Sequence, residues 1–337
     1  MADWLRYLAA GLREPVGTAA GLLLPGPEEV RLRAGRPVEL IGPGRSGFVT
    51  PAGELTEDPG RALRATPADV ATTFQLVCQG SVYAWEEELR GGFITLPGGH
   101  RVGVAGRAVV EGGRLRTVRP VASLSLRIAR ALPGAARGLL PHLVAGGRLL
   151  STLLISPPQA GKTTLLRDLV RLASTGDPAA GLRPQKVAVV DERSEIGGCA
   201  GGVPTLDLGP RTDVLDGCPK AEGMLLVIRA LSPEVVAVDE LGRDEDAGAV
   251  LEGLLAGVAV LATAHAGSLD EARRRPSLRR LLAQGAFARA VLLSRRLGPG
   301  TVEQVWRLPE GEPLLRGTLA PGGRGGSRQE GWACGPR

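Results

Sequence analysis

Aromatic side chains make up 3% of the 337 residues, and the chain holds only four cysteines, three histidines and three lysines. Each scarcity narrows the function classes. Without aromatics interleaved among its arginines, the sequence lacks the stacking platform that single-stranded nucleic-acid binders use. Cys78, Cys199, Cys218 and Cys334 show no paired spacing, which speaks against a zinc site or a disulfide framework and leaves free, mostly buried thiols as the expectation. No uncharged apolar run approaches the ~20 residues of a membrane-spanning helix. The opening MADWLRYLAAGLRE carries Asp3 and Glu14, unlike a secretory signal. A cytoplasmic protein is expected, free to lie against a membrane.

Basic charge is present in excess but as arginine. Of 41 basic residues only Lys162, Lys186 and Lys220 are lysine, and the abundance of Ala and Gly makes compositional bias the simplest reason for that choice. Bias does not explain clustering: residues 101–150 hold nine arginines against the single acid Glu111. A net charge of +6 would suit a nucleic-acid partner, and the distribution points to something more local.

The most informative stretch is RLLSTLLISPPQAGKTT, residues 148–164. Leu149 to Ile155 reads as a buried parallel strand, and Thr164 to Leu172 as a helix with Leu165, Leu166, Leu169, Val170 and Leu172 on its apolar face. Between them Ser156, Pro157, Pro158, Gln159, Ala160 and Gly161 form a loop closed by Lys162, Thr163 and Thr164. This is the arrangement a phosphate cradle needs. Gly161 lets backbone amides approach a phosphate at a helix N-terminus, Lys162 brings a point charge to it, and the Thr163 hydroxyl suits Mg²⁺. Ser156 departs from the general pattern, which opens on Gly, so that end of the loop is expected to sit differently.

Further strands read as carriers of the partner groups. Val187 to Val190 ends at Asp191, Glu192 and Glu195; Val235 to Val238 ends in Asp239 and Glu240; Val258 to Ala264 leads to His265. Open α/β sheets bind ligands at such carboxyl ends. Asp239 can hold the Mg²⁺ shell, Glu240 can orient or deprotonate a water, and His265 can meet a terminal phosphate. Ala286 to Leu293 and Val302 to Leu308 complete the sheet edge.

Upstream, Trp4, Leu5, Leu8, Ala9 and Leu12 recur at helical spacing, and Pro15 and Gly17 are expected to close that core-covering helix. EVRLRAGRPVEL, residues 29–40, alternates as two strands around a turn. Thr66-Pro67-Ala68-Asp69 is a helix start, with Val70, Phe74, Val77 and Cys78 inward. Glu86 to Arg90 finishes a helix whose three adjacent glutamates read as a solvated face, and four or five β runs follow, punctuated by Gly98-Gly99 and Gly112-Gly113. Arg101 and Arg107 fall on one strand and Arg127 and Arg130 on another, either a functional cluster or a basic surface stripe. The expected organisation is an α+β domain over 1–130, a linker at 131–147, an α/β core over 148–318 and a disordered Gly/Arg-rich tail at 319–337.

SVYAWEEELRGGFITLPGGHRVGVAGRA, DERSEIGG and GPRTDVLDGCPKAEGMLLVIRALSPEVVAVDELG resemble the stage III sporulation protein AA family of endospore-forming bacteria, over roughly residues 25–310. More distantly, the motif order is similar to that of type II and type IV secretion ATPases and pilus motors. The resemblance implies a RecA-like P-loop ATPase core behind a smaller N-terminal α+β domain, with ATP and Mg²⁺ as cofactors. It places Glu195, with Glu192 as the alternative, on the Asp-box glutamate, Glu240 on the Walker B glutamate and His265 on the His box, and it puts Arg101 and Arg127 where N-domain arginines reach the γ phosphate. It further implies a homo-oligomer, a hexamer, peripheral to the mother-cell membrane and coupled to membrane-embedded stage III sporulation channel proteins. Two rival readings remain at this stage: a nucleic-acid-stimulated ATPase, favoured by the basic pI and Arg-rich tail, and a ring component that binds nucleotide without turnover.

Overall fold

The computed structural model describes residues 3–24, 26–80, 85, 92–129, 132–315 and 317–321. The chain separates into two compact units, Met1–Arg130 with Gly197–Leu206, and Ala131–Ile196 with Asp207–Arg337. Residues 197–206, which follow Glu195 almost directly, thus leave the second unit's own body and join the first.

The first unit is a seven-stranded sheet. Its strands are β1 (Glu29–Arg33), β2 (Glu39–Gly42), β3 (Arg45–Val49), β4 (Leu55–Thr56), β5 (Phe93–Leu96), β6 (His100–Glu111) and β7 (Arg114–Arg127), in the order β4-β3-β2-β1-β7-β6-β5, every pairing antiparallel. β1, β2 and β5 alternate buried and half-buried residues, as a sheet with one covered face must. Val30, Leu32, Leu40, Ile94 and Leu96 face a core shared with α1 (Ala10–Gly21) and α2 (Pro67–Val77). The Thr66 cap forms as expected: its hydroxyl accepts from Asp69 N while the Asp69 carboxylate accepts from Thr66 N, a reciprocal capping box.

Two expectations need correction here. Pro15 and Gly17 do not close the first helix. Asp3–Tyr7 is a 3₁₀ turn, the break falls at Ala9, whose amide donates to Thr73 Oγ1 at 3.0 Å, and α1 runs on through Pro15 to Gly21. Trp4, Leu5, Leu8, Ala9 and Leu12 are nonetheless all buried. The expected four or five β runs after residue 91 are three strands, because the Gly98-Gly99 and Gly112-Gly113 pairs, all at positive φ, make two hairpin turns and β6 and β7 run long between them. Glu86 to Glu88 and Arg130 lie outside the described residues.

In the second unit eight strands line up: β8 (Thr152–Ser156), β9 (Val187–Asp191), β10 (Thr212–Asp216), β11 (Val235–Glu240), β12 (Ala259–His265), β13 (Arg289–Ser294), β14 (Thr301–Arg307) and β15 (Glu312–Pro313), ordered β10-β9-β11-β12-β8-β13-β14-β15. β10 through β13 are parallel, and β14 and β15 add an antiparallel edge. Alternate side chains enter two cores. Leu153, Ile155, Ala188, Val190, Val236 and Val238 pack with α4 (Lys220–Leu231), α5 (Asp244–Leu255) and α7 (Pro276–Ala283), which follows the short α6 (Leu269–Arg274). Leu154, Val187, Val189, Val235 and Ala237 pack on the other side with α3 (Lys162–Thr175). Covered on both faces, these strands read as unbroken apolar runs rather than alternating ones.

Strand β8 starts later than expected. Leu149 instead pairs with Val144 in a small hairpin, since Leu149 N donates to Gln185 Oε1 and not to the sheet. Within the expected linker, residues 132–147 are folded, with Ala136, Leu139, Leu140 and Leu143 buried in the α3-side core. At the C-terminal end Leu319 bridges to Val302, and residues 322–337 lie outside the described residues.

Candidate active site

The carboxyl ends of β8, β9, β11 and β12 meet at one edge of the parallel sheet. After β8, the loop turns through Gln159 (φ 59°) and Gly161 (φ 89°), and Gly161 is the last residue before α3. A Cβ on Gly161 would come within 2.6 Å of Gly300 N, so glycine is demanded twice, by backbone angle and by space. Ser156, by contrast, lies in the strand and is fully buried. Its hydroxyl bonds Pro157 O at 2.6 Å, and no positive φ falls on it, which removes the need for Gly at that position.

Lys162 begins α3 and folds back into the loop. Its Nζ lies 3.1 Å from Ser156 Oγ, 3.3 Å from the carbonyls of Ser156 and Pro157, and 2.8 Å from His265 Nδ1. On the far side of the ring, His265 Nε2 is 3.2 Å from Glu240 Oε2. Lys162, His265 and Glu240 therefore form one polar chain from the start of α3 to the ends of β12 and β11. Ser156 and His265 are register partners in the β8–β12 pairing, which is why the chain closes. Burial pulls the Lys162 ammonium down to about 8, against the opposing charges of Glu240 and Glu195. Thr163 and Thr164 sit half-buried in the first turn of α3.

Glu195 is placed by its backbone. Asp191, buried at the end of β9, accepts from Glu195 N at 2.8 Å and from Ile196 N at 2.9 Å, while Arg167 of α3 donates to both carbonyls, at 2.6 and 2.7 Å. Arg167 is buried, and desolvation brings it to about 10 in spite of Asp191 and Glu195. Asp239, the buried member of the β11 pair, is raised to about 6, mainly by burial, with Lys220 opposing and Glu195 and Asp191 adding to the rise. Glu240 beside it is exposed.

A magnesium ion and a triphosphate fit these residues on two structural grounds. Asp239 Oδ1 is buried without a hydrogen-bond partner, although Lys220 Nζ lies 3.1 Å away, out of alignment. Gly161, at φ 89°, turns the loop directly into the N-terminus of α3, where backbone N–H groups and the helix dipole can meet a phosphate.

Arg101 and Arg127 belong to the first unit. They are direct cross-strand partners on β6 and β7, and with Arg31, Arg33, Phe93, Ser123 and Ser125 they line a cleft of about 420 Å³. The Arg101 guanidinium stacks 4.3 Å from the Phe93 ring. Arg107 falls in the register shift between Gly106 and Ala108, just past another at Ala105–Gly106, and does not line the cleft. Reading the sequence missed Arg31 and Arg33, although the alternation of EVRLR puts them opposite Val30 and Leu32. Nothing in the sequence singles out Arg167 either, and for Lys220 the signal is the rarity of lysine.

The ionised form of Asp239, held at about 6 against an ordinary 3.8, costs the metal-free fold roughly 2–3 kcal/mol at neutral pH. The cost is absent below 3.8 and complete above 6. Asp239→Asn should therefore raise the melting temperature in EDTA at pH 7.5, with the gain shrinking as the pH falls through 6. Calorimetry showing no gain at pH 7.5 would contradict this electrostatic account.

Among solved structures, the chain is similar to the ATPase DotB of Legionella pneumophila, at 18% identity over 79% of this chain and 72% of that one, TM-score 0.53. The Yersinia pseudotuberculosis DotB ATPase gives 15% identity over 85% and 73%, TM-score 0.52. The class is thus the RecA-like α/β fold of such ATPases. The family model "Sporulation stage III, protein AA" matches residues 3–311, and stage III sporulation protein AA of Bacillus subtilis (strain 168) is 48% identical over 291 residues, 86% of this chain and 90% of that protein. The chain belongs to the sporulation stage III protein AA family. No helix among the described residues is long and apolar enough to cross a membrane.

Proposed function

We propose that the chain is a Mg²⁺-dependent ATP hydrolase of the type II/IV secretion ATPase kind, acting in sporulation as the energiser of the channel complex between mother cell and forespore. The observation that carries this reading is the Lys162–His265–Glu240 chain running beside a buried carboxylate, Asp239, with an unsatisfied oxygen. Burial holds Lys162 below its ordinary value and Asp239 above it, so each charged form is disfavoured where it stands. Triphosphate supplies the negative charge that Lys162 needs, and its magnesium the positive charge that Asp239 needs.

In this reading residues 156–164 wrap the phosphates, Lys162 meets their charge, and Thr163 and Asp239 hold the metal, which when bound neutralises charge developing on the phosphates. Glu240 orients and deprotonates the attacking water, and Glu195 completes the acidic wall. His265, touching both Lys162 and Glu240, reports the terminal phosphate to the base. Arg101 and Arg127 supply further positive charge to the phosphates in the assembled ring, a homo-hexamer lying at the mother-cell membrane beside its channel partners.

The test is calorimetric titration of the wild type with Mg·ATP beside sedimentation of the same sample. A dissociation constant within about 1 µM to 1 mM is expected, with nucleotide favouring the larger species. No heat of binding across that range removes the motor reading.

A further inference from the structure

We propose that Lys220 is a positioning residue that stands in as the resident cation of the acidic wall, holding Glu192 and Asp239 together until a metal ion takes its place at Asp239. The inference rests on the ATPase reading above and deepens it, because it concerns how the same site accepts its metal.

Three observations carry it. Lys220 Nζ bonds the Glu192 carboxylate and lies 3.1 Å from Asp239 Oδ1, and its side chain is only 10% exposed. Glu192 is held below the ordinary carboxylate range, where hydrogen bonding and the charges of Lys220, Arg243 and Arg193 outweigh burial. Lys220 therefore ties one carboxylate firmly while its contact with the other is misaligned. A contact of that kind can be surrendered without unfolding anything.

Local structure does not ask for a lysine here. Lys220 is the first residue of α4, where the helix dipole disfavours positive charge. Nor does composition: in a chain with 41 basic residues and three lysines, two of the three stand at this site, Lys162 buried and Lys220 half-buried. Lys162 meets the loop and Lys220 meets the carboxylates. Arginine would not serve, since a planar guanidinium is too broad to stand where a compact cation must sit and be displaced.

The role makes a prediction that structural support alone would not. Lys220 repels an incoming divalent ion and stands 3.1 Å from its ligand oxygen, so removing the charge should ease metal entry while disordering the wall. For Lys220→Met, the Mg²⁺ concentration giving half-maximal binding of a fluorescent ATP analogue should fall by about fivefold or more at pH 7.5. Mn²⁺ binding without nucleotide, followed by electron paramagnetic resonance, should tighten in parallel. Turnover should fall by about tenfold or more in the same variant. Lys220→Arg, which keeps the charge, should leave the metal requirement within about twofold of wild type while still losing turnover. If Lys220→Met does not fold, Lys220→Gln is read in its place.

A metal requirement that is unchanged or higher in the neutral variants overturns the inference. So does an equal fall in the Met and Arg variants, which would mark a packing effect. If wild type itself binds no Mg·ATP, the ATPase reading fails and takes the inference with it. If wild type binds and Lys220→Met matches it, only the inference fails.

Discussion

Lys162→Ala should weaken Mg·ATP binding by about 100-fold or more, enough to erase the calorimetric signal, and turnover should vanish with it. The magnitude follows from where the ammonium sits. It is almost fully buried, its nearest groups are the loop's own oxygens and His265, and desolvation already brings it to about 8. A phosphate arriving in that loop would find in Lys162 a cation already desolvated and directed by fixed acceptors, so little reorganisation is left to oppose binding. The same facts limit the structural damage. Deleting a buried charge that is costly to keep offsets part of the loss of its contacts with Ser156 and Pro157. The variant should therefore stay folded, with a melting temperature within a few degrees of wild type. A variant that still bound Mg·ATP with wild-type affinity would show that nucleotide lies elsewhere.

How much of this was legible in the sequence depends on whether a feature is local. The strand–loop–helix turn at Gly161 was, because its parts are contiguous in the chain. The parallel strands were too, since residues buried on both faces leave unbroken apolar runs such as Val187 to Val190 and Val235 to Val238. Boundaries were legible only to within a few residues. Leu149 is as apolar as its neighbours, and only the Gln185 side chain, distant in sequence, takes its amide out of the sheet. Pro15 misleads because the real break, at Ala9, is set by Thr73 on another helix.

What could not be read was pairwise and long-range. Nothing in DERSEIGG says that Arg167, on the helix after the cradle, grips the carbonyls of Glu195 and Ile196, or that residues 197–206 depart to the first unit. Glu192 and Glu195 look alike in sequence, and the fold separates them. Glu192 is bound to Lys220, whereas Glu195 has its backbone fixed by Asp191 and its charge felt by Lys162 and Asp239. The arginine cleft was half legible: alternation along β6 and β7 exposed Arg101 and Arg127, and register alone brings Arg31 and Arg33 beside them.

Register also decides between the two carboxylates at the end of β11, and with them the second large effect. The β11–β12 pairing is regular up to Val238 and shifts before Glu240, which sends Asp239 inward and leaves Glu240 at the rim against His265. Adjacent carboxylates thus receive opposite environments, one buried and suited to a metal, the other open to water and suited to a base. Glu240→Gln keeps the size and the reach to His265 while removing the proton acceptor. Turnover should fall by about 10²–10⁴-fold, with Mg·ATP affinity within about threefold of wild type. Single-turnover measurement with nucleotide prebound separates the two terms. A rate equal in wild type and variant would mean that no water is activated at this position, and the chain would then be a ring component that binds nucleotide without consuming it. A rate that falls together with affinity would instead place Glu240 in binding, where its 3.2 Å contact with His265, itself 2.8 Å from Lys162, gives it a route to the phosphates.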